Sequence, residues 1–162
     1  MATDIEMPTQ HTFLVAAGDW EARGTGRVGA DGREAGISGF TQVQPEGSGL
    51  FHVQSTMIVH TIIPFEVKQT YEIRETSTPH RFQFVSHNDR VGEMAGEIWL
   101  LPNYIVLHSA SIKGRFRGSE VLLRRTSEHY TAIGQFLADR RAQSVWEVQL
   151  RRITAEGGGI GG

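Results

Sequence analysis

Residues 64–75 read PFEVKQTYEIRE, and this stretch alternates between apolar and polar side chains. Phe65, Val67, Tyr71 and Ile73 share one parity, and most of the charged residues occupy the other. Helical periodicity would scatter these apolar residues around an axis, whereas a period of two places them on one face of a strand. The stretch therefore predicts a half-buried β-strand.

The same alternation recurs along the chain between short segments rich in Gly, Asp, Asn and Pro, which are typical of turns. The predicted strands span 18–28, 35–44, 50–61, 65–75, 81–88, 91–101, 104–113, 116–126, 129–138 and 144–153. Short, evenly spaced strands without helices between them predict an antiparallel meander, and closure into a barrel removes its exposed edges. We therefore expect an all-β fold, a single up-and-down antiparallel β-barrel of about ten strands. A sandwich is the main competitor, but it needs longer crossings than these connections provide.

The 162 residues suit one domain with one core. We expect the barrel domain to span 1–154, with a short N-terminal helical turn at 10–16 (QHTFLVA). The Gly-rich tail AEGGGIGG, 155–162, is expected to be disordered.

Composition narrows the function classes. The chain has no cysteine, which excludes disulfides and thiolate chemistry. The first residues lack the apolar run of a secretory signal, and no stretch approaches the roughly 18 apolar residues of a membrane span. A cytoplasmic protein is the default expectation. The net charge of −2 and the pI of about 6.4 argue against nucleic acid as a partner, and a homodimer is compatible with the sequence.

Both ends of the chain carry a familiar pattern. The segment GDWEARGTG has Gly18 two residues before Trp20, followed by small residues, and the last strand ends in QLRRI, 149–153. This combination resembles the calycin superfamily of lipocalins, fatty-acid-binding proteins and avidins. The resemblance implies that a late arginine stacks on the tryptophan and closes the barrel floor. By parity Arg152 is the better partner for Trp20, and a cation over an indole contributes about 0.5–2 kcal/mol.

Within this superfamily the pattern is most similar to nitrobindin-like barrels, which begin with Gly-x-Trp-x-Gly-x-Gly-x-Gly and end in Leu-Arg-Arg. Gly24 and Gly26 match, and Ala22 replaces one glycine. The resemblance implies a haem-ligating histidine five residues before the terminal leucine, but that position is Val145. We therefore expect no cofactor, and haem only if another histidine serves.

Polar residues interrupt several of the apolar faces, which is natural around a hydrated or ligand-filled cavity. Gln69 lies between Val67 and Tyr71, and Ser86 follows Phe84 on one face. The residues expected to line a ligand cavity are Met57, Phe65, Gln69, Tyr71, Phe82, Phe84, Ser86, Tyr104, His108 and Arg125. In fatty-acid-binding relatives an interior arginine holds a ligand carboxylate, which is the role that the resemblance implies for Arg125.

The register of two regions stays open. Tyr104, Val106 and His108 share one parity, but turning Ile105 and Leu107 inward instead fits the apolar pattern nearly as well. The orientation around Tyr130 is likewise undetermined. No metal site is expected, because no two of the seven histidines form a local pair of ligands.

Three function classes follow. The first is a protein that binds a small hydrophobic or amphipathic ligand, fatty-acid-like or otherwise lipophilic, inside the barrel. The second is an enzyme on the same barrel, such as an isomerase, a cyclase or a haem-dependent scavenger of nitric oxide or peroxynitrite, with His108 or Tyr104 as acid or base. The third is a filled barrel whose Arg-rich segment, 113–152, docks an acidic partner.

Overall fold

The computed structural model describes residues 11–154, and ten β-strands account for most of that range. The strands are β1 (Gly18–Val28), β2 (Arg33–Gly47), β3 (Leu50–His60), β4 (Phe65–Glu75), β5 (Arg81–Asn88), β6 (Gly92–Leu100), β7 (Tyr104–Ser111), β8 (Phe116–Thr126), β9 (His129–Ala138) and β10 (Arg141–Arg152). The predicted strands are all present, with bounds that differ by a few residues. The tail 155–162 lies outside the described residues.

The strands form one closed antiparallel barrel in the order β1-β10-β9-β8-β7-β6-β5-β4-β3-β2. Each strand pairs with its neighbours in the chain, and β1 also pairs with β10, where Trp20 lies opposite Arg152. The prediction of an up-and-down barrel is confirmed. Pairing between the first and last strands leaves no strand of the sheet with an unpaired edge.

Residues 11–16 are bent but not helical, so the predicted helical turn is wrong for the part of it that the structure describes. Leu14 has a φ of 66°, in the left-handed region, and the Val15 N–H donates to the Phe13 carbonyl at 2.8 Å. Hydrogen bonds to the barrel hold the segment in this shape. The ring of His11 bonds at 2.7 Å to both the Tyr130 hydroxyl and the Leu101 carbonyl, which anchors the segment across one end.

This covered end, where β1 begins and β10 ends, is the closed end of the barrel. Phe13 packs edge-on against Trp20 with ring centroids 5.1 Å apart, and Trp20 in turn contacts Tyr130 at 5.7 Å. Trp20 is 0% exposed. The buried side chains around it are Leu14, Val43, Val53, Ile73, Ile98, Ile105, Leu122 and Leu150. This half of the barrel is therefore a packed core.

Arg152 and Gly24 shape the wall next to Trp20. The Arg152 guanidinium carbon lies 6.0 Å from the centroid of the Trp20 ring, and its Nη2 donates to the Ala17 carbonyl at 2.9 Å. At Gly24 an added Cβ would lie 2.6 Å from the Cα of Val148 on β10, closer than a side chain tolerates. The glycine therefore allows β1 and β10 to approach closely where the wall bends.

The opposite end, where β1 ends and β2 begins, is called the open end. Its connections are 29–32, 61–64, 89–91, 112–115 and 139–140. Within residues 11–154 there is no helix long and apolar enough to cross a membrane.

Candidate functional site

A cavity of about 470 Å³ occupies the half of the barrel next to the open end. Its walls are mainly apolar side chains from strands around the whole barrel and from the connection 89–91. They are Ile37, Met57, Val59, Phe65, Val67, Phe84, Val91, Met94, Leu107, Phe136, Trp146 and Val148. Side chains alternate between the inner and outer faces along each strand. The cavity walls therefore belong to the same inner faces whose other residues pack the core at the closed end.

The mouth of the cavity combines apolar and basic side chains. The Arg90 guanidinium lies over the Phe65 ring, 4.4 Å from its centroid, and both residues border the cavity. Ile62, Ile63 and Ile112 lie on the open-end connections and are more than four-fifths exposed. The entrance therefore presents apolar surface to solvent as well as a cation.

An acidic residue, Glu120, lies among the cavity walls at the middle of β8. The Trp146 Nε1 donates a hydrogen bond of 2.8 Å to its Oε2. Gly134 lies between the two, paired with Glu120 on one side and with Trp146 on the other. A Cβ on Gly134 would lie 2.6 Å from Cε2 of the Trp146 ring, so the indole crosses β9 only because that position has no side chain.

Two titratable groups face each other in this region. Burial raises the pKa of the Glu120 carboxyl, and the hydrogen bond from Trp146 opposes that rise. Burial also raises the pKa of the Tyr71 hydroxyl; the nearby charge of Glu120 adds to the rise, and a hydrogen bond with Gln69 opposes it. Tyr71 stacks on Phe84 with centroids 5.5 Å apart. A neutral hydroxyl and a carboxyl that resists ionisation thus share one apolar cavity.

We expect replacement of Glu120 by glutamine to change how stability depends on pH. The pKa of Glu120 is raised in the folded protein. Below the ordinary carboxyl pKa of 4.5, Glu120 is neutral in both the folded and the unfolded chain and does not lower the free energy of unfolding. As the pH rises from there through the folded pKa, Glu120 lowers the free energy of unfolding. Glu120→Gln should therefore be more stable than the wild type at about pH 8, and this advantage should vanish towards pH 4.5. Thermal unfolding across this range measures the effect, since each kcal/mol shifts Tm by roughly 2–4 °C.

The control for this experiment is Glu147→Gln, because Glu147 is exposed on the outer face of β10. It should leave the pH profile unchanged. A stability difference for Glu120→Gln that is the same at every pH would contradict the expectation.

The structure brings together half of the residues expected at the cavity. Five of them line its wall with their side chains: Met57, Phe65, Gln69, Tyr71 and Phe84. Phe82 and Ser86 also face inward, but they are not among the lining residues. Phe82 packs against the core, and Ser86 is buried beside Tyr71 on the neighbouring strand.

Three expected cavity residues lie on the outside of the barrel instead. Tyr104 is exposed, and His108 borders the cavity but directs its side chain outward, 59% exposed and 3.7 Å from Glu97. Ile105 is buried, so β7 adopts the alternative parity. Arg125 is exposed and donates to the Thr131 hydroxyl at 3.0 Å.

The physical reason is that β7 and β8 carry apolar residues on both faces, so alternation alone does not choose the inner one. On β8 the residue that faces inward is Leu122, whereas Val121 is 41% exposed. Glu120 has the same parity as Leu122 on β8, so its side chain also faces the interior of the barrel. Sequence reasoning missed Glu120 because a carboxylate is normally assigned to the solvent side. The register of the β8–β9 and β9–β10 hairpins could have indicated the position of Glu120. It places a small residue, Gly134, opposite both Glu120 and Trp146.

The histidines of the described chain do not provide an iron ligand inside the cavity. His108 is the one that borders it, and its side chain faces Glu97 on the outer surface. Val145 is 39% exposed on the outer face of β10. Across residues 11–154, no three His, Cys, Asp or Glu side chains are grouped as metal ligands. The residues present therefore do not fit haem held by a histidine.

Comparison with known proteins adds to this picture at the level of fold. The chain matches neither a known protein family nor a curated protein. A solved structure similar to it is that of an S-type phycobiliprotein lyase from Guillardia theta, with a TM-score of 0.63, 7% sequence identity, and coverage of 86% of this chain and 89% of that chain. At 7% identity this likeness concerns the fold alone: the closed ten-stranded antiparallel barrel of this chain is similar in structure to that lyase.

Proposed function

We propose that this protein binds a small lipophilic or amphipathic molecule in the cavity at the open end of its barrel. The observation that carries the proposal is the cavity itself, about 470 Å³ in volume and mainly apolar in its lining. Small-molecule sites are typically clefts or cavities of about 300–1,000 Å³, lined by apolar side chains with a few well-placed polar groups. Gln69, Tyr71 and Glu120 are polar groups of this kind.

The fold supports the proposal in a second way. A barrel can enclose a ligand only when its interior is not filled, and here the packed core ends at the level where the cavity begins. The similar barrel from Guillardia theta is described as a phycobiliprotein lyase, which is in keeping with a small ligand here too.

From the sequence, Arg125 is expected to hold the acidic head group of a fatty-acid-like ligand. Such a head group would need a different position in this structure. Arg125 lies outside the barrel, whereas Arg90 borders the mouth with its guanidinium over Phe65. A fatty-acid-like ligand would therefore place its carboxylate at the mouth beside Arg90 and its chain among the apolar walls.

Titration with N-phenyl-1-naphthylamine, whose emission rises in apolar surroundings, tests the proposal. We expect saturable binding with a Kd of about 1–10 μM, equivalent to roughly −7 to −8 kcal/mol. Trp146 lines the cavity and should be quenched by the probe, whereas Trp99 is on the outer face. Trp146→Phe should remove the largest share of the quenching and the matched Trp99→Phe a smaller share, because energy transfer to the probe also reaches Trp99 and the buried Trp20. Emission that never saturates, or a loss of quenching that is larger for Trp99→Phe than for Trp146→Phe, would overturn a site in this cavity.

An isomerase on the same barrel is the second candidate, because one cavity holds both a carboxyl and a phenol with raised pKa values. The raised pKa of the Glu120 carboxyl suits proton exchange with a bound molecule, whereas the Tyr71 phenol stays neutral and can donate a hydrogen bond to that molecule. In this version Glu120 replaces His108 or Tyr104 as the acid or base. Incubating any ligand recovered from the protein in D₂O should exchange one of its carbon-bound hydrogens with wild type but not with Glu120→Gln; the absence of exchange with wild type would exclude this activity.

A further inference from the structure

We propose that the ligand carries a basic nitrogen, and that this nitrogen pairs with the Glu120 carboxylate in the middle of the barrel. The inference rests on the proposed function and narrows its ligand class to lipophilic amines. It depends on where Glu120 lies, on which of its oxygens is engaged, and on the other charges around the cavity.

Glu120 is held in a position to accept from a ligand. Its Oε2 already receives the Trp146 Nε1 hydrogen at 2.8 Å, which fixes the carboxyl against the wall formed by β8, β9 and β10. A carboxylate accepts through both of its oxygens, so Oε1 is left for a donor in the cavity. Gly134 makes this arrangement possible, since any side chain there would displace the indole from Glu120.

The other ionisable groups around the cavity do not neutralise Glu120. Arg90 is at the mouth, stacked on Phe65, with its Nε near the Glu66 carbonyl at 3.4 Å. The His108 side chain is on the outer surface beside Glu97. Tyr71 faces Glu120 as a neutral phenol. Among the described lining residues, Glu120 is therefore an acid without a cation next to it.

A protonated amine supplies the missing charge. A buried carboxylate without a counter-charge is costly, and an N⁺–H···O⁻ hydrogen bond is roughly twice as strong as a neutral one. A ligand carboxylate in the same place would instead face a like charge, and an alcohol would provide a hydrogen bond without compensating the charge. The apolar walls around Glu120 select for a lipophilic body on that amine.

Competition against N-phenyl-1-naphthylamine with decylamine, decanol and decanoic acid tests this inference at about pH 7.5. These competitors have the same chain length, so their ranking reports the head group. We expect decylamine to displace the probe from the wild type at a concentration about tenfold lower than decanol, which corresponds to about 1.4 kcal/mol. Decanoic acid should also displace the probe less effectively than decylamine, because it avoids the charge of Glu120 only with its carboxylate at the mouth beside Arg90.

Glu120→Gln keeps an oxygen that can accept from Trp146, and should bring decylamine to the level of decanol when both are referred to the probe affinity measured for that variant. Glu147→Gln, on the outer face of β10, should retain the preference for the amine. Equal displacement by amine and alcohol from the wild type, or stronger displacement by the acid, would overturn the inference while probe binding would still support the proposed function. Failure of the probe to bind at all would instead count against the function. The wild-type ranking needs no variant, so the test holds even if Glu120→Gln folds poorly.

Discussion

Replacing Trp20 by alanine is expected to lower the free energy of unfolding by about 3–5 kcal/mol, the range for a large aromatic removed from a core. Trp20 is 0% exposed and is contacted by Phe13, Tyr130 and the Arg152 guanidinium. Alanine would leave a hole at the centre of the closed end, and the surrounding strands are joined in a closed ring that cannot easily collapse into it. Denaturant unfolding measures the loss.

Trp99→Ala is the matched control for this prediction. Trp99 is 41% exposed on the outer face of β6, where Arg81 lies over its ring at 5.1 Å. Its removal should cost no more than about 1 kcal/mol, the value of an exposed cation–π contact. Similar losses for the two variants would show that Trp20 does not hold the closed end together.

Val67→Trp is expected to weaken binding of N-phenyl-1-naphthylamine by more than about tenfold, or 1.4 kcal/mol. Val67 is a lining residue on β4 and faces the cavity between Phe65 and Gln69. An indole at this position would occupy part of the 470 Å³ that the ligand needs. The same fluorescence titration measures the effect, and the unfolding curve checks that the barrel is intact.

The control for the cavity-filling variant is Lys68→Trp, one residue further along the same strand. Lys68 is exposed, so its side chain is on the outer face. The new indole should leave probe binding within about twofold of the wild type, since it adds no volume inside the barrel. Full probe binding by Val67→Trp in a folded protein would mean that the ligand binds elsewhere.

Alternation was sufficient to locate the strands, because a period of two is a local property that each segment carries by itself. On β4 it was also sufficient to identify the inner face, since Phe65, Val67 and Tyr71 oppose charged residues such as Glu66 and Lys68. This strand supplies three of the five expected cavity residues that line the wall, namely Phe65, Gln69 and Tyr71.

Alternation failed on β7 and β8 for a definite reason. Val121 is apolar yet exposed, and its neighbour Leu122 is buried. Two apolar faces give equal patterns for either orientation, and a one-residue change of parity exchanges every inner residue for an outer one. For this reason the pattern predicts Tyr104, His108 and Arg125 inside, whereas the structure has them outside and brings Glu120 to the cavity.

The sequence alone determined that the chain is an all-β protein with ten strands joined by short turns, because hydrophobic periodicity and turn chemistry are encoded within a few neighbouring residues. Only the tertiary structure decided which faces turn inward, how residues 11–16 cover one end, and that a carboxylate bonded to Trp146 faces a cavity at the other. These features depend on ring closure and on side chains that meet across several strands. Such contacts join residues far apart in the chain, and no local pattern specifies them.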